Sequence, residues 1–299
     1  MATVAFIGLG AMGLPMASNL IAKGFEVRGF DVNEAARKGL ESAGGVFADS
    51  PSDAATDADV LVLMVVNAAQ VEQVLFDDNA LDALNPKATV IVMATCAQVA
   101  VQSIAQRVQA TGRDCIDAPV SGGVVGAQAG GLTIMVGCAK TVFDANLPVL
   151  QAMGERIFHV GENVGQGAMV KTINQLLCGV HIAVAAEAFA MAEKAGIELD
   201  TLLEIMSGSA ASSWMLQNRG PRMLQDDPLV TSAVDIFVKD LGIVLQTGQD
   251  LKAVAPIAAA AHQVYIASSA RGEGKIDDSQ VIRTYRALNQ RADTDPSSK

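Results

Sequence analysis

Aromatic residues are scarce in this chain: one Trp, two Tyr and nine Phe, or 4% of 299 residues. Since 51% of positions are hydrophobic, the core has to be built mainly from Ala, Val, Leu, Ile and Met, which suits closely packed helices. Histidine and cysteine are few. His159, His181 and His262, with Cys96, Cys115, Cys138 and Cys178, are widely spaced and form neither a CxxC pair nor an HExxH segment. That excludes the usual zinc spacings and a disulfide framework, so buried thiols and no metal are expected. Basic residues are outnumbered, 21 Lys and Arg against 32 Asp and Glu, for a net charge of −11. This balance argues against a general nucleic-acid binder and leaves no basic segment for a membrane surface. An anionic substrate would then need positive charge concentrated at its site. The N-terminus lacks the basic leader of a signal peptide. The apolar stretch 179–195 is interrupted by His181, Glu187, Glu193 and Lys194, as in a buried helix and unlike a membrane span. A cytoplasmic protein of two domains is the expectation at this length.

What is present is concentrated at the start. Thr3-Val4-Ala5-Phe6-Ile7 is an apolar run suited to a buried strand, and it leads into Gly8-Leu9-Gly10-Ala11-Met12-Gly13. A helical pattern follows through Leu14, Met16, Leu20 and Ile21, and a second apolar run over 25–30 ends on Asp31. Each glycine has a physical role in such a unit. Gly8 permits the tight strand-to-helix turn, Gly10 lets the backbone approach a pyrophosphate, and Gly13 lets the helix pack close to the sheet. The free N–H groups and dipole at the helix start favour phosphate charge. Asp31 stands where an acidic side chain accepts hydrogen bonds from the adenosine ribose. Strand, helix and acid in register point to a dinucleotide site.

Strand and helix then alternate. Segments 60–66, 89–94, 114–117, 132–136 and 157–160 read as strands, with helical patterns at 33–42, 69–76 and 99–110. This is the signature of an α/β domain with a doubly wound parallel sheet of Rossmann type. The character changes near Gly161. Helical periodicity runs through 169–195, 200–208, 214–224, 234–251, 256–270 and 278–288, and the polar residues 293–299 read as a frayed tail. The division expected is 1–162 for the dinucleotide-binding domain and 163–299 for an all-α domain, joined by a long helix.

Three constellations carry candidate chemistry. Lys171, Asn174, Gln175 and Cys178 follow Gly165-Gln166-Gly167 and share one helical face, while Val170, Ile173, Leu177 and Val180 are apolar on the complementary side. Lys171 reads either as a surface lysine snorkelling along a buried helix or as a general acid/base, its ammonium destabilised by its surroundings and by the nearby positive helix end. Ser121-Gly122-Gly123 follows a strand end, where doubly wound folds bind ligands. It is either an ordinary turn or a hydroxyl and two bare N–H groups that hold a carboxylate. Lys239, in Phe237-Val238-Lys239-Asp240-Leu241, either approaches the cofactor or substrate anion or is a solvated helix charge beside Asp240.

Taken in order, GLGAMGLPMASNL from Gly8, DAPVSGG from Asp117, GQGAMVKTINQ from Gly165 and FVKDL from Phe237 make this chain resemble the 3-hydroxyacid (β-hydroxyacid) dehydrogenases over nearly its whole length. The family includes 3-hydroxyisobutyrate dehydrogenase and tartronate semialdehyde reductase and is related to 6-phosphogluconate dehydrogenase. The resemblance implies hydride transfer between a hydroxy acid and a nicotinamide cofactor, with substrate held between the two domains in a homo-oligomer, a dimer or tetramer. It implies Lys171 as the acid/base and Ser121, Gly122 and Gly123 as the carboxylate site, with Asn174 orienting substrate. It also puts Gly8, Leu9, Gly10, Ala11, Met12, Gly13, Asp31, Val65, Val66, Thr95 and Lys239 at the cofactor. Two departures stand out. The pair after the lysine is Asn174-Gln175, where some relatives carry other amide or His-Asn pairs. The second strand ends Asp31-Val32-Asn33, without the arginine that members preferring NADP often place there, which favours NAD. The segments 212–219, 174–182 and 233–237 further resemble the L-threonate-oxidising branch, and substrate contacts from Gln175, Trp214 and Asn218 go with that branch. Trp214, the one tryptophan, reads equally as helix–helix packing. Oxidation of 3-hydroxyisobutyrate, reduction of tartronate semialdehyde, and a non-catalytic NAD-binding interaction module are the alternatives.

Overall fold

A computed structural model describes residues 2–289; the tail expected at 293–299 lies outside them. Two compact units divide after Thr172, inside one helix. The first unit opens with β1 (Thr3–Ile7), α1 (Gly13–Ala22), β2 (Glu26–Phe30), α2 (Ala35–Ser42), β3 (Val46–Phe47) and α3 (Pro51–Ala55). It continues through β4 (Val60–Leu63), α4 (Ala68–Glu72) with a π-helical turn at Gln73–Asp77, α5 (Ala80–Ala83), β5 (Thr89–Val92) and α6 (Gln98–Gln109). Next come β6 (Asp114–Asp117), β7 (Val120–Ser121), α7 (Gly123–Ala129), β8 (Leu132–Gly137), α8 (Lys140–Met153), β9 (Gly154–Gly161) and the first turns of α9 (Gln166–Lys194).

One sheet runs in the order β3-β2-β1-β4-β5-β6-β8-β7, with β9 paired to β8. The first six are parallel, and the order reverses on either side of β1, which opens a crevice beyond the ends of β1 and β4. The central strands are buried on both faces because their residues alternate between two cores. Val4, Phe6, Val60, Val62 and Ile91 pack with Met16 and Leu20 of α1 and with Val149 and Leu150 of α8. Ala5, Ile7, Leu61, Leu63, Val90 and Val92 pack with Val101, Ile104 and Val108 of α6. Aliphatic side chains make up most of both layers, with a few Phe and Met in the first.

The sheet departs from the all-parallel expectation at one edge. After Pro119, β7 continues the line of β6, and both pair antiparallel with β8, Asp117 opposite Gly137 and Val120 opposite Ile134. The connection from β7 to β8, built around α7, is too short for a parallel crossover, whereas α8 is long enough to return β9 parallel to β8. Neither α7, α8 nor the two-residue strands β3 and β7 stood out in the sequence.

The second unit holds the rest of α9, then α10 (Leu199–Ser207), α11 (Trp214–Met223), α12 (Val234–Leu251) and α13 (Pro256–Ser268). A π-helical turn (Ser269–Glu273), a 3-10 turn (Asp278–Val281) and α14 (Ile282–Asn289) complete it. Ile182, Ala186 and Phe189 of α9 pack in its core with Phe237, Leu241, Tyr265 and Val281. Tyr265 is fully buried, stacks on Phe237 and donates its hydroxyl to Gly179 O at 3.1 Å. A buried fork, Arg219 Nε and Nη2 each 2.9 Å from the Asp278 carboxylate, ties α11 to the 3-10 turn.

Candidate active site

In the first unit, β1 delivers Gly8 at φ +96°, where a Cβ would lie 2.6 Å from the Met64 carbonyl oxygen. The turn therefore admits no side chain. A Cβ at Gly13 would collide with the Gly8 carbonyl, so α1 can sit against the sheet only through glycine. At Gly10 the opposite holds: nothing lies within 4 Å of the Cβ position, and Gly10 and Ala11 are exposed. Open space in front of a helix start at the strand switch point fits a dinucleotide pyrophosphate. Asp31, one residue past β2, accepts from Leu9 N at 2.7 Å and from Asn33 N at 2.7 Å. Its carboxylate braces the glycine turn, and the two oxygens retain lone pairs for ribose hydroxyls. Val65 and Val66 follow β4 in a loop ordered by Gln70, whose Oε1 accepts from Val66 N at 2.8 Å, and by Asn67, which caps α4. Thr95 sits just beyond β5, half-buried. The chain's own residues thus fit a nicotinamide dinucleotide along this edge. Among the described residues no cluster of His, Cys, Asp or Glu could hold a metal.

The Ser121-Gly122-Gly123 turn runs from β7 straight into α7. Gly122 and Gly123 take φ values of +130° and +61°, which explains two successive glycines without any reference to ligand. Ser121 and both glycines are half-buried. Four residues before Ser121, Asp117 is 1% exposed, and its Oδ2 accepts from Gly165 N at 2.9 Å and Ala168 N at 2.7 Å. These are backbone groups at the start of α9, so one carboxyl fastens the end of β6 to the helix that carries Lys171. Gly167 permits the approach, since a Cβ there would collide with the Met135 carbonyl. Burial pushes Asp117 up from 3.8 to about 7 against the downward pull of the Ala168, Gly165 and Gly167 N–H groups. In the sequence Asp117 stands only as the first residue of DAPVSGG at a strand end, with no role assigned to it.

Lys171 is 8% exposed. The snorkelling reading is therefore set aside: the usual arrangement of α9 is reversed over its first turns. Lys171 and Gln175 are buried, whereas Val170, Ile173 and Leu177 are 38%, 57% and 50% exposed.

In the second unit Gln175, Asn174 and Lys239 come together around a residue the sequence did not single out. Asp240 is 2% exposed; its Oδ2 accepts from Gln175 Nε2, and its Oδ1 lies 2.6 Å from Lys239 Nζ. Asn174 Nδ2 donates to Gln175 Oε1 at 2.8 Å and to Cys178 Sγ at 3.4 Å. Half-buried Lys239 is therefore paired to a buried carboxylate that also holds Gln175. Trp214 and Asn218 lie on α11 of the same unit. Trp214 is 51% exposed, and Asn218 Oδ1 accepts from Arg219 Nη1 and Arg222 Nη2, which orients the guanidinium groups gripping Asp278 and Asp277.

A glycine-turn dinucleotide site beside a buried lysine fits an oxidoreductase that works with a nicotinamide cofactor. Comparison with known proteins agrees. Residues 3–161 match the NAD binding domain of 6-phosphogluconate dehydrogenase, and residues 165–285 match the NAD-binding domain of NADP-dependent 3-hydroxyisobutyrate dehydrogenase. The chain is similar to the L-threonate dehydrogenases of Pectobacterium atrosepticum, 42% identical over 95% of this chain and 94% of that one, and of Cupriavidus necator, 41% identical over 95% and 96%. A crystal structure of a 3-hydroxyisobutyrate dehydrogenase from Salmonella typhimurium superposes with a TM-score of 0.91, at 40% identity over 95% of this chain and 99% of that one. The chain belongs to the 3-hydroxyacid dehydrogenase family and is an NAD-dependent hydroxy acid dehydrogenase.

Two outcomes test this site. Lys171→Ala should fold and bind dinucleotide but lose ~10²–10⁴-fold in kcat, the usual loss for an acid/base group; near-wild-type turnover removes Lys171 from the chemistry. The second concerns pH. An acid whose pKa is raised by folding contributes stability that is full below its unfolded value and lost as pH rises through its folded value. For Asp117 the window runs from about pH 4 to about pH 7. Melting temperatures across that window should therefore show wild type losing ground to Asp117→Asn, which does not titrate; a pH-independent difference would mean Asp117 stays ionised throughout.

Proposed function

We propose that this chain oxidises L-threonate at C2 to the 2-oxo acid, with NAD preferred over NADP. The observation that carries the substrate is likeness to L-threonate dehydrogenases over about 95% of the chain. The amide-rich α9 face supports it: a trihydroxy acid presents hydroxyls beyond the reacting carbon, and Asn174 and Gln175 can bond them, with Asn218 and Trp214 as further contacts. Ser121, Gly122 and Gly123 hold the carboxylate. Neutral Lys171 accepts the proton of the C2 hydroxyl, while nicotinamide, when bound, supplies the hydride acceptor. Lys239, Thr95, Val65 and Val66 border the cofactor and Asp31 meets its adenosine ribose. In this reading 1–162 is the cofactor part and 163–299 the substrate and association part. The enzyme works in the cytoplasm without membrane or nucleic-acid partners, a placement supported by its net charge of −11.

A second reading, 3-hydroxyisobutyrate as substrate, is favoured by the likeness to the Salmonella enzyme. The two differ in what the amides meet. A site built to bond hydroxyls discriminates strongly against an analogue that offers a methyl group, because its buried amides are left unpaired. Steady-state kinetics with NAD should give L-threonate the highest kcat/KM of L-threonate, 3-hydroxyisobutyrate and tartronate semialdehyde (the last assayed with NADH); a higher value for either rival refutes the L-threonate reading.

We also propose a homo-oligomer, a dimer or tetramer, associating through α9. Val170, Ile173, Leu177, Val184 and Met191 recur along one side of that helix and are each 38–72% exposed. By length and composition the helix could even cross a membrane, yet half of its most apolar window is buried within the protein, and Ile182, Ala186 and Phe189 serve the core. An exposed apolar stripe of this kind marks an association surface. Light scattering should report at least a dimer at micromolar concentration, and Leu177→Glu should dissociate it. A monomeric wild type sinks the idea.

A further inference from the structure

The second strand lacks an arginine beside Asp31, but the fold brings one from the next helix. Arg37, in α2, lines a single cavity of about 190 Å³ together with Asp31, Glu34, Phe47 and Asp49. Its guanidinium lies over the Phe47 ring, 4.4 Å from the centroid, and stacking of this kind fixes the plane of the fork at modest cost. What else holds it is weak. Nη1 is 3.8 Å from Glu41 and Nη2 is 3.6 Å from Asp49, and those carboxylates are 52% and 90% exposed. Exposed pairs of that length contribute little, so the fork can turn to a better anion. Asp31, by contrast, is fixed at the ribose position by its bonds to Leu9 N and Asn33 N.

We propose that Arg37 is a 2′-phosphate anchor already built into the adenosine pocket, and that the charge of Asp31 keeps it out of use. This rests on the NAD preference proposed above and explains how it is set. With Asp31 ionised, a 2′-phosphate would meet a carboxylate at the ribose edge, and the pocket as a whole carries Asp31, Glu34 and Asp49 against one guanidinium. Glu34 and Asp49 are exposed and screened by water; Asp31 is half-buried and held in place by two backbone N–H groups. Neutralising Asp31 removes the repulsion and leaves a planar, five-donor fork within the same cavity, suited to bidentate phosphate binding. Conversion to NADP use therefore needs no added arginine.

Calorimetric titration of the full-length protein with NAD, NADP and the fragments ADP and 2′,5′-ADP tests this apart from turnover. Asp31→Asn alone should raise NADP and 2′,5′-ADP affinity by roughly 10–100-fold relative to NAD and ADP, the range of one or two charge-assisted hydrogen bonds. Arg37→Ala in that background should return the gain. An Asp31→Asn gain that survives Arg37→Ala overturns the anchor, and so does the absence of any gain. Should Asp31→Asn fail to fold, Asp31→Ser removes the same charge and still decides. Its gain for 2′,5′-ADP over ADP should vanish on Arg37→Ala, and a gain that survives that change refutes the anchor. Wild type that binds NADP more tightly than NAD would instead refute the NAD preference, an outcome read from the unsubstituted protein alone.

Discussion

The carboxyl of Asp117 is the fastening on which the site depends. It ends β6, which leads within four residues to Ser121, and it accepts the N–H groups of Gly165 and Ala168, which open α9. Strand end and helix start are thereby fixed to each other before either contributes chemistry. A buried carboxylate is costly unless its oxygens are satisfied, and here the partners are backbone donors that no substitution except proline removes. The approach requires Gly167, whose Cβ would collide with the Met135 carbonyl. Sheet, loop and helix are thus coupled through one side chain and one missing side chain.

Much of this fold was legible because it obeys simple periodicities. The strands of 60–66 and 89–94 were found from continuous β-branched runs, and β4 and β5 are buried at every residue. The helices of the second unit followed from 3.6-residue spacing, and α12 begins and ends at Val234 and Leu251 as read. The edge beyond β6 was not legible. Strands of two residues have no period, and the pairing of β7 with β8 depends on where α7 places the returning chain. The same holds for α8, whose Pro148 lies inside the helix and disguises it.

The site divides in the same way. Glycines that make turns advertise themselves, as Gly8 and Gly13 do. Groups that act by joining distant segments do not. Asp117, Asp240 and Arg37 are ordinary charged residues in the sequence, and each acquires its role from partners 48 to 65 residues away or from a cavity wall on another element. The face of α9 shows the sharper lesson. Spacing puts Lys171, Asn174 and Gln175 on one helical face, but it cannot say which side of a helix meets water. The polar side was buried and the apolar side exposed, contrary to the arrangement expected of a surface helix.

The way α9 is fastened separates the scaffold from the chemistry it carries. The ties that set its start are made to backbone atoms of residues 165–168 and to the absence of a side chain at Gly167. Position 171 inherits its depth and direction from those ties whatever residue stands there. A lineage could exchange the lysine for another acid, base or hydrogen-bond donor without re-laying the helix, and the newcomer would arrive already desolvated beside a dinucleotide-binding sheet. That is a physical basis for evolvability: one mounting able to accept different reactive groups, and so one fold able to host different chemistries.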